Sequence, residues 1–524
     1  MRNAYIRVLD STLRDGAQSE NVSFSVSDKL KIVSQLDEFG ISLIEAGNPA
    51  SNPTDEDFFR QVKGLHLKNA EICAFGMTVK SELLPSEDPN ILSLAAADTA
   101  TVVICGKAWL LHATEILRVT AQENLRIIAD TITYFKQCGR RVLFDAEHFF
   151  DGCKDARDYA FEVLRTAAKS GADCLCLCDT NGGCLPDEIS AVTAEVAAAF
   201  DSPLGVHCHD DTGCAVANTL AAVKNGVTVI QGTFNGIGER CGNANLSTLI
   251  PNLALKAGYR CDGKLDKLYS TATELAEVTN KAVHSNKPYV GRSAFAHKGG
   301  IHTDAVIKLP RSYEHISPEL IGNSRRFLLS EVSGRSTVYQ KLREFGIENI
   351  TRDSPEVYEI LKKIKEMESL GYQYEGADAS YELLVKNVFG TFNPHFRLVL
   401  FKVIDEYPSD DGGFQSCASI SIEVDGKTEI TASLGNGPVN ALDKALRKAI
   451  SVFYPSIGNM YLSDYKVRVL DDRSATASLT RVLIESSGSG RVWTTVGVSS
   501  DIIHASVTAL IDSVEYYLHL IKQP

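Results

Sequence analysis

The chain has 524 residues, too many for one ordinary hydrophobic core, so two or three domains are expected. A hydrophobic content of 44% beside 23% charged residues is that of a globular protein. A net charge of −13 excludes nucleic acid or an anionic membrane surface as a partner, since both call for a basic face.

No run approaches the ~18 apolar residues of a membrane helix. The first residues enter a charged, strand-like stretch with no apolar leader, which predicts a cytoplasmic protein. The thirteen cysteines fit this, because several (Cys73, Cys105, Cys174, Cys176 and Cys178) sit inside apolar runs as buried thiols would.

From residue 5 to 257, short apolar runs alternate with helical stretches. The runs are 5–10, 42–46, 71–77, 101–105, 141–146, 174–178, 204–207 and 229–233. The helices between them have legible ends. Ser27 reads as an N-cap, Leu30, Val33, Leu36 and Phe39 form a helical stripe, and Gly40 is the stop. The helix over 160–169 closes on Gly171, and Pro186 opens one that runs to Phe200. Eight such units over ~250 residues predict a (β/α)8 TIM barrel. No Gly-x-Gly-x-x-Gly follows the first run, which counts against a doubly wound sheet.

A barrel of this kind carries its chemistry just after the C-terminal ends of its strands. Polar residues gather there: Arg14 and Asp15 after the first run, Glu147 and His148 after the fifth, Asp179, Thr180 and Asn181 after the sixth. After the seventh come His207 and His209, and after the eighth the loop Asn235-Gly236-Ile237-Gly238-Glu239-Arg240-Cys241-Gly242-Asn243. Histidines two apart on a strand face the same way, and two imidazoles beside carboxylates suit a divalent cation. Cys174-x-Cys176-x-Cys178 reads instead as a core strand.

The remainder divides in two. Residues 271–390 read as a helical linker region, with an amphipathic charged helix over 354–370 whose polar face is solvated. Residues 391–524 alternate strands with helices: strands over 396–403, 418–423 and 429–435, then a helix over 438–452. The order recurs with strands over 465–470, 476–485 and 492–498 and a helix over 502–520, an internal βββα duplication forming an α+β domain. The join around Leu434-Gly435-Asn436-Gly437 parallels that around Val496-Gly497-Val498. Gly435 and Gly437 ahead of a helix suit an amino-acid carboxylate, or merely a turn that needs glycine.

Leu13-Arg14-Asp15-Gly16-x-Gln18 with Lys29, His207-x-His209-Asp210-Asp211-x-Gly213, and Gly238-Glu239-Arg240-x-Gly242-Asn243 together resemble the signatures of the 2-isopropylmalate, homocitrate and citramalate synthase family. The likeness continues through Gly291-Arg292-Ser293 to His302 and into a C-terminal regulatory domain. Glu147-His148-Phe149-Phe150-Asp151-Gly152 and Asp179-Thr180-Asn181 are most similar to the citramalate-forming members. The resemblance implies Asp15, His207, His209 and Asn243 as ligands of a divalent metal (Mn, Mg, Zn or Co) and acetyl-CoA as co-substrate. It further implies Arg14 and Thr180 as groups holding a 2-oxo acid, pyruvate in the citramalate-forming branch. The catalytic positions it implies are Arg14, Glu147, His302, Tyr313 and Asp304, in a Claisen-type condensation followed by thioester hydrolysis. It implies too a homodimer with an effector site near Gly435 and Gly437, isoleucine being the effector expected of a citramalate-forming enzyme.

Lys107, Lys298, Arg325 and Arg326 are candidates, by charge type alone, for the CoA phosphates, and Met77 and Cys105 for the side-chain pocket. The alternatives are the 2-isopropylmalate-forming (leucine) or homocitrate-forming reactions of the same family, a barrel lyase or aldolase, and an amino-acid sensor with a vestigial barrel.

Overall fold

Runs of apolar residues that pair on both edges and are covered on both faces become buried parallel strands. Eight of them close here into a barrel: β1 (Tyr5–Asp10), β2 (Leu43–Glu45), β3 (Glu71–Met77), β4 (Thr101–Lys107), β5 (Arg141–Glu147), β6 (Cys174–Asp179), β7 (Leu204–Cys208) and β8 (Val229–Gly232). The computed structural model describes residues 5–328, 333–347, 349–406, 415–470 and 478–522. Strand order runs from β2 to β8 and back through β1 to β2, all parallel, with the two-residue β9 (Arg260–Cys261) added beside the start of β1. Leu9, Leu43, Cys73, Val103, Leu143, Cys174 and Val229 fill the interior as one cluster, and a larger core lies between strands and helices. Cys174–Asp179 is a core strand, as expected.

The differences from the sequence reading are at the ends of elements. The first helix, Val26–Phe39, is capped by Ser25 and not Ser27, because only Ser25 has an acceptor three residues on: Asp28 completes a reciprocal capping box. Its other end, Gly40, does take the left-handed conformation. The helix expected over 160–169 begins at Phe149, kinked at Ala156. Strands β4 and β5 run on to Lys107 and Glu147, which are register partners.

The described chain falls into two compact units. The first is the barrel, to Phe295, together with Ile316–Ser324. The second comprises Ala296–His315 and the chain from Arg325 onward. It holds the pair β10 (Ala296–His297) and β11 (Arg326–Phe327), then helices Arg335–Glu344, Pro355–Ser369 and Asp378–Val388. Two antiparallel three-stranded sheets follow. One is β12 (Arg397–Glu406), β13 (Gln415–Val424) and β14 (Lys427–Gly435) with helix Pro438–Ser451. The other is β15 (Met460–Val469), β16 (Thr480–Gly488) and β17 (Arg491–Ser499) with helix Ile502–Lys522.

The duplication is visible in detail. Each first strand carries a register shift at the same place, Leu398/Leu400 and Leu462/Asp464. Thr431 and Thr495 donate to the helix carbonyls of Ala445 and Ala509 at 2.8 and 2.7 Å. The structural repeat pairs Gly435 with Ser499, each closing its third strand, and not with Gly497. Of the second repeat's expected strand over 476–485, Thr476 and Ala477 lie outside the described residues.

No helix among the described residues is long and apolar enough to cross a membrane, and all thirteen cysteines are free.

The N-terminal end of the barrel is tied by one buried carboxylate. Asp262 accepts from Val8 N at 2.7 Å, Ser42 N at 3.2 Å and the Tyr5 hydroxyl at 2.6 Å, joining β1, β2 and β9. Asp262→Ala strands these donors and is expected to lower barrel stability by about 2–4 kcal/mol, read as an earlier denaturant midpoint of barrel unfolding.

Candidate active site at the barrel rim

Three loops deliver the central groups. Leaving β1, the chain turns so that Asp15 heads a short 3-10 helix, Gly16–Gln18. Leaving β7, His209 makes a backbone bridge to Asn243. That bridge needs the loop after β8 folded tightly on itself: Gly242 has φ +91°, and a Cβ there would run into the Gly236 carbonyl. Arg240 clasps the loops from outside, its guanidinium donating to both oxygens of Asp211 (2.8 and 3.0 Å) and to the Thr180 carbonyl (2.7 Å). The arginine of the third motif is therefore a brace between the β6, β7 and β8 loops.

The donor atoms of Asp15, His207 and His209 all lie within 4.8 Å of one another, and all three residues are buried. His207 Nε2 and His209 Nε2 face each other at 3.2 Å, and Asp15 Oδ2 stands 3.6 and 3.9 Å from them. Burial pushes both imidazoles down, His207 to about 3, so both are neutral near pH 7. Burial also opposes ionisation of Asp15, but the Arg14 guanidinium at 2.7 Å outweighs it and holds the carboxyl well below the usual carboxylate range. Asn243 donates through Nδ2 to Asp15 Oδ1 (3.0 Å) and to the Ile237 carbonyl (3.3 Å), which leaves its buried Oδ1 without a partner. One carboxylate, two neutral imidazoles with facing nitrogens and an orphaned amide oxygen fit a hard-to-borderline divalent cation.

Arg14 is fixed on three sides. It bonds Asp15, donates through Nε to the buried Glu45 (2.7 Å), and lies 4.1 Å over the Phe75 ring. Thr180 Oγ1 accepts from His148 N at 2.9 Å, so its own proton remains to be donated. His148 holds a left-handed backbone (φ 56°, ψ 34°) that a non-glycine residue adopts only under constraint. Its ring sits 4.2 Å from that of His112 and hydrogen-bonds Asp151 at 3.1 Å. Glu147 is ion-paired with Lys107. Met77 and Cys105 are register partners at the same rim, Met77 being 39% exposed and Cys105 buried.

The remaining expected residues lie in the second unit. The rings of His302 and Tyr313 pack at 4.3 Å, both exposed to solvent. Asp304 accepts from Ser336 and Arg352 (2.8 Å each) and from Lys308 (2.6 Å), and so ties helix Gly300–Lys308 to its neighbours. Of the cations nominated by type, Lys107, Lys298 and Arg325 are in ion pairs with Glu147, Glu375 and Glu314. In the C-terminal domain Gly435 packs with no room for a Cβ against Ala441 N, while Gly437 is extended with open space beside it. The helix they precede borders a cavity of about 770 Å³ lined by Asn440, Asp443, Arg447, Lys448, Tyr461 and Tyr465.

Sequence reasoning missed Glu45, Asp145 and Gln231. A glutamine or an acid inside a run that is apolar on either side was the available signal.

Residues 5–276 match the HMGL-like family, residues 289–371 the homocitrate synthase post-HMGL domain-like family, and residues 375–518 the LeuA allosteric (dimerisation) domain. The chain is 49% identical over 516 residues to the (R)-citramalate synthases of Aquifex aeolicus and Geobacter sulfurreducens, covering 98% of itself and of each of them. It is 33% identical over 516 residues to the 2-isopropylmalate synthase of Methanocaldococcus jannaschii, covering 98% of itself and 95% of that chain. The protein belongs to the HMGL-like family. Within it, the full-length relatives place the chain among the (R)-citramalate synthases.

Asp10, at the end of β1, is fully buried, and burial pushes its carboxyl from 3.8 up to about 7 although Thr12 N donates to it at 2.9 Å. A carboxyl raised in the fold loses stability as pH climbs from its unfolded value through its folded one. Asp10→Asn keeps the acceptor and removes the titration. Its stability advantage over the parent is expected to grow between pH 4 and 8, by up to about 4 kcal/mol, and denaturant curves across that range check it.

Proposed function

We propose that the protein condenses acetyl-CoA with pyruvate and hydrolyses the resulting thioester, releasing (R)-citramalate and CoA, in isoleucine biosynthesis. The observation that carries the reading is the convergence of Asp15, His207 and His209 beside Arg14 at the barrel rim, on a chain similar over its whole length to citramalate synthases.

In this reading Asp15, His207, His209 and Asn243 Oδ1 hold a divalent cation, which supplies Lewis-acid polarisation of the 2-oxo group. Arg14, held rigidly by Asp15, Glu45 and Phe75, presents fixed positive charge where the ketone oxygen gains negative charge. Because the guanidinium is already oriented, little reorganisation is needed during the reaction. Thr180 offers its hydroxyl proton to the substrate carboxylate, its oxygen being steadied by His148 N. Glu147 takes the proton that leaves the acetyl methyl, with Lys107 holding the carboxylate in place at the rim. We assign catalytic roles to His302 and Tyr313 as well, and Asp304 orders the helix that carries His302. Met77 and Cys105, register partners at this rim, are assigned to the pocket for the substrate's side chain.

The match to the LeuA domain supports a homodimer regulated by an amino acid. We assign isoleucine as effector, with the helix after Gly435 and Gly437 and its adjoining cavity as its site; Asp443 and Lys448 there offer opposite charges for an ammonium and a carboxylate. Free buried thiols support a cytoplasmic setting.

CoA release from acetyl-CoA, followed with Mn2+ across pyruvate, 2-oxobutyrate, 2-oxoisovalerate and 2-oxoglutarate, tests the reaction. Pyruvate is expected to exceed 2-oxoisovalerate in kcat/KM by about 10–200-fold, the discrimination that added methylenes provide. A preference for 2-oxoisovalerate moves the protein to leucine synthesis, and no release with any acid reopens the lyase and sensor readings. His209→Ala is expected to lower Mn2+ affinity and kcat by at least about 100-fold with unchanged circular dichroism. Near-native turnover in that variant would remove His209 from the ligand set.

A further inference from the structure

Behind the ligands proposed above runs a hydrogen-bonded chain that none of the roles so far uses. Asp145 Oδ1 accepts from Gln231 Nε2 at 2.7 Å, and Gln231 Oε1 lies 3.0 Å from His207 Nδ1. All three side chains are buried, Gln231 completely. The sheet register sets Gln231 directly beside His207 on adjoining strands. Strands β5 and β8 are not neighbours, so the Asp145–Gln231 bond crosses the barrel interior.

A neutral imidazole has two tautomers and a primary amide two orientations. Taken alone, the His207–Gln231 pair is satisfied equally well as Nδ1–H donating to Oε1 or as Nδ1 accepting from Nε2–H. The two are not equal toward a cation: only the first leaves His207 Nε2 with its lone pair directed to the point shared with His209 and Asp15. Burial pushes the Asp145 carboxyl from 3.8 up to about 7. In its ionised form it can only accept, so it captures the amide NH2, as the Gln231 Nε2 to Asp145 Oδ1 bond shows, and turns Oε1 toward His207. We propose that Asp145 and Gln231 are positioning residues that select the ligating tautomer of His207, the choice being made by a carboxylate in the barrel interior that never touches the cation. This rests on the reading of His207 as a ligand.

The test is Mn2+ titration of the full-length protein, read by the loss of the free-ion electron paramagnetic resonance signal, with circular dichroism as the fold check. Asp145→Asn is isosteric but can donate to Gln231 Oε1, leaving Nε2 to face His207. The Mn2+ Kd is expected to rise about 10–100-fold, the usual cost of losing such an outer partner. Combining it with Gln231→Glu restores an acceptor-only group beside His207 and gives the amide introduced at position 145 a partner, so affinity is expected to return toward the parent value. A side chain that merely filled space would show neither the loss nor the rescue.

Parent-like affinity in Asp145→Asn, or a loss that Gln231→Glu fails to rescue, overturns the proposal. Should Asp145→Asn not fold, Gln231→Met, matched in length and a far weaker acceptor, is expected to give the same loss, and unchanged affinity there overturns it equally. A parent protein that binds no Mn2+ overturns the ligand reading itself, which keeps the two failures apart.

Discussion

Two neutral imidazoles whose Nε2 atoms stand 3.2 Å apart in a buried site, with a charged carboxylate under 4 Å from both, form a donor set of the kind a divalent cation takes. If His207 and His209 both carry bare Nε2 lone pairs, they repel; if one is protonated there, it spends its ligating position on the other. Burial pushes both rings toward neutrality, so protonation does not relieve the conflict near neutral pH. A divalent cation shared by the two nitrogens and the Asp15 carboxylate does. The rest of the rim can be understood as the apparatus needed to hold three such donors together against their own preferences.

That apparatus is mostly backbone and brace. The loop after β8 folds so closely that glycine is required at 242, and this lays Asn243 against His209. Arg240 ties three rim loops through Asp211 and Thr180. Arg14 is shared between Asp15 and Glu45, so one guanidinium pairs two buried acids side by side. Removing any of these would loosen the donor set without touching a donor, which is why the motifs contain more residues than the reaction needs.

How much of this was legible in the sequence follows the range of each signal. The barrel was legible because apolar runs and helix stops are local, and because parallel strands read as continuous apolar stretches. The three donors that meet in the structure, Asp15, His207 and His209, were legible because they fall at or just past the ends of β1 and β7, where barrel chemistry sits. Partnerships across the barrel were not. Lys107 looked like a spare cation until the register set it opposite Glu147. Nor could the sequence show that Asp304, named by the family resemblance, accepts from Ser336, Arg352 and Lys308. The repeat in the C-terminal domain was visible as a pattern, but its alignment was off by two residues because glycines were matched with glycines. The structure instead matches strand ends, Gly435 with Ser499.

The polar interior also explains where the barrel keeps its stability. Glu45 and Asp145 each sit in a space that a TIM barrel ordinarily fills with branched apolar side chains, and Glu45 retains an oxygen without a partner. Such groups cost stability of the order of 1–3 kcal/mol each. The compensation lies below them, in the layer of Leu9, Leu43, Cys73, Val103, Leu143, Cys174 and Val229 that seals the interior, and in Asp262, which fastens β1 to β2 at the opposite end. The strands are thus divided along their length, with apolar packing and closure at the N-terminal half and strained, charge-bearing chemistry at the C-terminal half. Because the two halves share the same eight strands, a change at the closing end is felt at the site only through strand register, and register is what sets Gln231 beside His207 and Lys107 beside Glu147.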